Sequence, residues 1–388
     1  MSLVPADNGF AMWGVLAGAA GFAAWAEHTR LGHRISGVLV AIFLAMALSN
    51  FRIIPQASPT YDTALEYLIP MSIPLLLFDA NLRRIVRDTG RMLLAFTIGT
   101  AGTVLGAWIG VRLISLGPET PALAGVFSST YIGGGLNFMA VARITGFSDG
   151  SMMAASVAAD NVVTALYMMA VMALPSIAWL RRRIPSPVAD RADREFETSL
   201  AEAPPADPAG PARAETPLRI AHLGLALALS LAICAAGFRL AEVFGLDGFG
   251  ILFVSLLALV PANLFPRITP YLTGHAELGM IGIYVFLFVM GAAADLWTML
   301  GSALPITAFA LLIVAVHMVF IVAVGALFRL DLAMLVIASN ACVGGSSSAG
   351  PLAAVRGWRE LVTPGILCGA LGNAVGTFIG VGLSRWLT

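Results

Sequence analysis

The chain has 388 residues, of which 59% are hydrophobic and 11% charged, and its formal net charge at pH 7 is zero. Soluble domains carry about 25% charged residues, so the composition excludes an ordinary globular enzyme and gives no basic surface for nucleic acid. All 22 basic residues are Arg and the mean hydropathy is +0.88, as in a chain that crosses a bilayer many times.

A spanning helix needs about 20 mostly apolar residues. The first half offers five such segments, at roughly 10–27, 35–51, 60–79, 91–115 and 150–180. Pro70 and Pro74 are expected to kink the third. An apolar segment at 118–144 is broken in the middle by "SSTYIGGGLN". Residues 181–216, from "RRRIPSPVADR" to "PARAET", are rich in Pro, Ala, Glu and Asp and are predicted to form a disordered cytoplasmic linker. The second half offers segments at roughly 217–241, 248–266, 272–294, 300–328 and 361–386, with a second broken segment at 331–355 containing "SNACVGGSSS".

The halves resemble each other. "GVLVAIFLAMALSNFRIIP" matches "GILFVSLLALVPANLFPRI", and "AADNVVTAL" matches "ALGNAVGTF", so that Asn161 and Asn373 hold the same place. This is an internal repeat, with residues 1–180 and 217–388 as its two copies.

The Arg distribution distinguishes crossing from turning back, because cytoplasmic loops collect basic residues. Twelve crossings would split the 22 Arg ten to twelve. If each broken segment instead enters and leaves on one side, 17 Arg fall inside and only Arg52, Arg112, Arg143, Arg239 and Arg385 fall outside. Five crossings per copy is an odd number, so the second copy is inverted. The expected fold is all-α and polytopic: two inverted repeats, each of five transmembrane helices plus one re-entrant hairpin. Inverted repeats with broken helices at the midplane are a common plan of secondary transporters. Length agrees, since residues 120–130 would span about 15 Å as helix, half the hydrocarbon core.

Gly133, Gly134 and Gly135 in one break, and Gly344 and Gly345 in the other, permit a tight turn and close approach to a ligand. Peptide N–H groups freed at the start of the second half-helix favour an anion. With Asn137, Ser346, Ser347 and Ser348 they form the expected substrate site. Freed carbonyls and the oxygens of Ser128, Ser129, Thr130 and Asn340 suit a cation. The competing reading is close packing through small residues. Asp160-Asn161 lies about ten residues into an apolar segment, where a lone acid marks a functional site by default. It could bind sodium, carry a proton, or only hold a tip. Asp160 and Asn161 are the best sodium candidates, with Asn373 in the matching place beside Gly372. His317 is expected to be a packed neutral side chain bonded to a carbonyl, and Cys234, Cys342 and Cys368 are expected to be apolar filling.

On "SSTYIGGGLNFMAVA", "ADNVVTALY" and "SNACVGGSSSAGPLAA", the whole chain resembles the YjcL-like domain-of-unknown-function family of bacterial and plant membrane proteins. That family is similar to a wider group of bile-acid/sodium symporters, glutamate/sodium symporters, 2-hydroxycarboxylate transporters and cation/proton antiporters. The resemblance implies an elevator homodimer whose Gly-rich tips belong to the moving part. It also implies an ion-binding acid at Asp160-Asn161, where the antiporters carry an acidic pair. The chain departs from the antiporters in lacking a basic residue in a late core helix, and "GGSSSAG" departs from the GGxG tips of the 2-hydroxycarboxylate type.

The expected function is sodium-coupled symport of a small organic anion in the cytoplasmic membrane, with a cation/proton antiporter using Asp160 as the alternative. No P-loop, HExxH or Ser/His/Asp constellation is present, so neither an ATP-driven pump nor an enzyme is expected. No cofactor is expected beyond a coupling ion, sodium or proton. The expected partners are the lipid bilayer, a small solute and a second copy of the chain.

Overall fold

The computed structural model describes residues 2–27, 37–78, 82–147, 150–202, 220–246, 250–265, 268–301 and 303–388. Its helices are α1 (Gly9–Glu27), α2 (Gly37–Asn50), α3 (Pro59–Leu77), α4 (Leu82–Leu113), α5 (Thr120–Gly133), α6 (Leu136–Thr145) and α7 (Gly150–Ala173) in the first half. Two short helices follow, α8 (Ala178–Arg183) and α9 (Pro187–Glu202). The second half holds α10 (Ile220–Val243), α11 (Gly250–Leu264), α12 (His275–Ala292), α13 (Leu296–Gly301), α14 (Leu304–Leu327), α15 (Leu332–Val343), α16 (Ser346–Val355) and α17 (Arg359–Leu387). No strand occurs among the described residues.

Helices occupy all ten predicted segments, but among the described residues only seven are long and apolar enough to cross a bilayer: α1, α4, α7, α10, α12, α14 and α17. α2 and α11 have 14 and 15 described helical residues. At 1.5 Å per residue they reach about 21–23 Å, short of the roughly 30 Å core. α3 begins at Pro59, capped by the Ser58 hydroxyl, and carries Asp62, Glu66 and two internal prolines, which lower its apolar content.

The helices sort into two groups. α1, α2, α3, α10, α11 and α12 pack chiefly on one another, and α4–α7 pack with α13–α17. In the second group, glycines at three- and four-residue spacing line the face of α4. A methyl on Gly99 would meet His317, one on Gly102 would meet Phe320, one on Gly106 would lie 2.7 Å from the Ile313 carbonyl oxygen, and one on Gly110 would meet Phe309. With no hydrophobic drive between helices in lipid, such small-residue seams let backbones approach and gain packing energy.

Both broken segments fold back on themselves. Along α17, a methyl on Gly372 would meet Gly133, one on Gly376 would lie 2.9 Å from the Ser129 carbonyl oxygen, and one on Gly380 would lie 2.6 Å from the Gly125 carbonyl oxygen, so α5 runs antiparallel to α17. Yet Asn137 sits beside Gly376 and Val141 beside Gly380, so α6 runs parallel to it. α5 and α6 are therefore the two arms of a hairpin, and the rings of Phe127 and Phe138 pack edge to face between them at 6.1 Å. In the second hairpin, Ile337 of α15 and Ala349 of α16 both lie against Gly365, and Asn340 Nδ2 donates to Ser348 Oγ at 2.9 Å. In a continuous helix, residues 337 and 349 would be about 18 Å apart.

The base of the second hairpin corrects one expectation. Residues 187–202, predicted to be disordered, form helix α9; residues 203–219 lie outside the described residues. Two acids at the base of the second hairpin capture the segment. Asp331 caps α15 and also accepts from Ser186 Oγ at 2.6 Å and from the Val188 N–H at 3.2 Å. Glu360, in the first turn of α17, pairs with Arg191 at 2.6 Å. Composition reports only that a segment has no core of its own, and α9 borrows one. Within the segment, Arg181 bonds Asp190 at 2.5 Å and Asp193 at 2.6 Å. Burial acts to lower the Arg181 pKa, but these two bonds together raise it above its usual value.

Both ends of the second hairpin thus lie beside α9, at the start of α17, whereas the ends of the first hairpin lie beside the end of α17. All three Cys are buried, so in a Cys-free background Ser115→Cys and Thr145→Cys should label with an impermeant maleimide from one side of the membrane. Arg329→Cys and Arg359→Cys should label only from the other. Opposite-side labelling within either pair would mean that its segment crosses.

Candidate functional site

The two hairpin tips touch. Gly134 has φ 79° and ψ 173°, and Gly345 has φ 76° and ψ −168°. The matched breaks thus share one backbone shape, in a region open mainly to glycine. A methyl on Gly134 would lie 3.3 Å from Gly345 Cα, and one on Gly345 would lie 3.5 Å from the Gly133 carbonyl oxygen and 3.9 Å from Asn373 Oδ1. The outer arms end alike as well: the Gly134 N–H donates to Thr130 O and the Gly344 N–H to Asn340 O, each at 2.7 Å. Neither α6 nor α16, the inner arms, has a side-chain cap.

Around this contact several buried polar atoms lack a partner: Ser128 Oγ, Thr130 Oγ1, Asn137 Nδ2 and Asn340 Oδ1. The other ends of the two amides are fixed. Thr377 Oγ1 donates to Asn137 Oδ1 at 2.8 Å, leaving the NH2 to point elsewhere, and Asn340 donates its NH2 to Ser348, leaving its oxygen. The set therefore offers three oxygens and one donor buried in protein, where an unsatisfied polar group is costly.

Not every expected residue faces the contact. Gly135 is exposed, with nothing within 4 Å of the point a methyl would occupy. Ser129 donates its hydroxyl to Val126 O at 2.7 Å, and its Cβ packs against Gly380, a turn away from the tip. Ser346 is buried against Gly369, Ser348 is committed to Asn340, and Ser347 and Gly344 keep partial exposure.

Asp160 sits on α7 amid protein, yet it and Asn161 keep some accessible surface. The Tyr131 hydroxyl lies beside the Asp160 carboxyl without closing a hydrogen bond of good geometry. Thr164 Oγ1 is 3.5 Å from Asp160 Oδ1. None of the ion pairs among the described residues includes Asp160. The matching place in the second half, Gly372, has no room for a side chain, because a methyl there would overlap the Ile132 carbonyl. That explains why the acid occurs once.

A second polar set surrounds His317, which is packed and bonded to a carbonyl as expected, through partners that the sequence did not single out. His317 is fully buried; its Nδ1 lies 2.8 Å from Gly99 O and 2.9 Å from Thr103 Oγ1, and its Nε2 lies 2.9 Å from Ser339 Oγ. Ser339 bonds Tyr167 OH in turn, and Thr103 Oγ1 also donates to Tyr131 O at 3.2 Å. Donation from Nδ1–H to the Gly99 carbonyl leaves Nε2 to accept from Ser339. The set joins α4, α5, α7, α14 and α15. Besides His317 itself, its signal in the sequence was that Tyr131 and Ser339 belong to the two repeated motifs.

The family described as "Protein of unknown function (DUF819)" matches residues 14–388. The chain belongs to this family. A similar relative is the "Uncharacterized membrane protein YjcL" of Bacillus subtilis (strain 168), 31% identical over 399 residues that cover 100% of this chain and 99% of the relative. This DUF819 protein is a multi-pass membrane protein whose helical core is organised around two touching tips.

The seam between α5 and α17 makes a direct prediction. Gly372→Ala should cost about 1–3 kcal/mol through overpacking, read as a lowered unfolding midpoint of the purified protein in detergent. Gly135→Ala, at φ −59° with open space around it, should leave that midpoint unchanged.

Proposed function

We propose that this protein is an ion-coupled secondary transporter, a sodium-driven symporter of a small organic anion, working as an elevator homodimer of inverted repeats in the cytoplasmic membrane. The observation that carries this reading is the contact between Gly134 and Gly345, made by hairpins whose bases lie at opposite ends of α17. A ligand held between the tips would be gated from each side by one hairpin.

The chemistry at the tips divides by sign. The uncapped starts of α6 and α16, with Asn137 Nδ2, suit a carboxylate. Each helix-end contact is worth about 0.3–2 kcal/mol, so two together change affinity roughly 3- to 700-fold. Thr130 Oγ1, Ser128 Oγ and Asn340 Oδ1 are hard oxygen donors for sodium, and Asp160 supplies the charge. The separation into two helix groups supports rigid movement of α4–α7 and α13–α17 against the rest.

Purified protein in proteoliposomes, given an inward sodium gradient and a panel of labelled carboxylates, should accumulate at least one of them. Asp160→Asn should abolish sodium dependence while the protein remains folded. Because sodium and a proton compete for one carboxylate, acidification should weaken sodium dependence in the wild type. Gly134→Val and Gly345→Val should abolish uptake, since a β-branched residue fits neither the φ nor the contact. If an imposed proton gradient drives sodium efflux with no carboxylate present, the protein is instead an antiporter using Asp160.

A further inference from the structure

A cavity of about 550 Å³ opens at the base of the second hairpin, far from the tips. Arg91, Arg183, Arg191 and Arg329 line it with Asp331 and Glu360. Four guanidinium groups against two carboxylates leave an excess of two positive charges. Both carboxylates are already engaged: Glu360 pairs with Arg191, and Asp331 is bound by Ser186, Val188 and the first turn of α15. Among the described residues, no ion pair engages Arg91, Arg183 or Arg329.

These three arginines come from different parts of the chain: the first part of α4, the end of α8 and the turn between α14 and α15. Arg329 takes φ 52°, which a side-chain-bearing residue seldom adopts. The floor is apolar, with Ile184, Leu330, Met334 and Leu361 all buried. Guanidinium forks beside an apolar floor match a tetrahedral oxyanion, since Arg presents paired donors to phosphate.

We infer that this cavity binds a phosphate-bearing anion, which bridges the α8–α9 segment to the base of the second hairpin. The chemistry is shared by an acidic phospholipid headgroup and by a soluble phosphate compound, and the site is independent of what the tips carry. The bound anion would draw the α8–α9 segment, the start of α4 and the start of α15 into one unit, adding to the clamp made by Asp331 and Glu360.

The test uses the full-length protein in phosphatidylcholine nanodiscs. One arm titrates inorganic pyrophosphate; the other replaces part of the lipid with phosphatidylglycerol. The unfolding midpoint should rise in at least one arm. A rise with pyrophosphate identifies a soluble phosphate, and a rise with phosphatidylglycerol alone identifies a headgroup. Apparent affinity should fall at least about tenfold in Arg91→Gln/Arg329→Gln and stay unchanged in Arg182→Gln, which removes an exposed charge of the same triplet that does not line the cavity. Should the double variant not fold, Arg183→Gln, whose side chain is exposed, carries the same comparison. No rise in either arm, a rise that survives loss of the lining arginines, or an equal loss in Arg182→Gln overturns the site.

Discussion

Everything in this fold hangs on two stretches of non-helical backbone that meet inside it. At membrane depth, backbone without helical bonds survives only where protein or enclosed water surrounds it. Each hairpin tip supplies part of that enclosure for the other, because Gly134 and Gly345 sit in contact. The contact favours glycine at both positions: the backbone has positive φ at each, and a Cβ on Gly134 would press on Gly345 Cα at 3.3 Å. It also needs α17, whose Gly372, Gly376 and Gly380 hold α5 at backbone distance. The small-residue packing weighed against a ligand-binding role is thus real, but it belongs mainly to the α5–α17 seam. The tips are a different place, where partnerless polar atoms accumulate.

Magnitudes separate the two devices that hold the core. Side-chain hydrogen bonds between membrane helices average about 0.6 kcal/mol. The links among His317, Thr103, Ser339 and Tyr167 therefore total about 2 kcal/mol. One overpacked glycine in the seam costs about 1–3 kcal/mol by itself, and α4 and α17 each carry several. Close packing sets the stability of this group, while the polar set fixes register. His317 can satisfy both ring nitrogens only when α4 and α15 stand at one height along α14. The set thereby ties the outer arm of the second hairpin to α4, and through Tyr131 O it reaches the tip of the first hairpin.

The legible part of the fold was the part written in repetition. Apolar runs located the helices, the twice-used Gly and Ser clusters located the tips, and the Arg bias suggested that each broken segment turns back. What stayed hidden had physical reasons. α9 is mostly polar, with Val188, Ala189 and Ala192 packed on the core, and is tied down by Asp331 and Glu360, residues 143 and 169 positions away from their partners Val188 and Arg191. Tyr131 stood in the open, but an aromatic residue in an apolar helix looks the same whether its hydroxyl faces lipid headgroups or a buried carboxyl. Ser129 shows the opposite failure: it belongs to the repeated motif, yet its hydroxyl satisfies its own helix. Sequence marks which residues have oxygen to offer, and only the neighbouring helix determines which of them is already engaged.

The asymmetry between the halves then follows from packing. The sequence match between the halves pairs Asn161 with Asn373, but the residue before each differs in what it can be. Gly372 is pressed against the Ile132 carbonyl, so that position can hold no side chain. Asp160 lies beside the Tyr131 hydroxyl and keeps some accessible surface. A second acid would break the α5–α17 seam, and through it the tip contact on which both hairpins depend. The proposed ion site must therefore be built around one carboxylate, on the first half's side, with neutral oxygens completing it. Any ion bound there is balanced by a single protein charge. A monovalent cation leaves such a site neutral, whereas a divalent cation would leave an uncompensated charge at membrane depth, where it is most costly. The same seam that holds the tips together would thus select the charge of any ion that the proposed site binds.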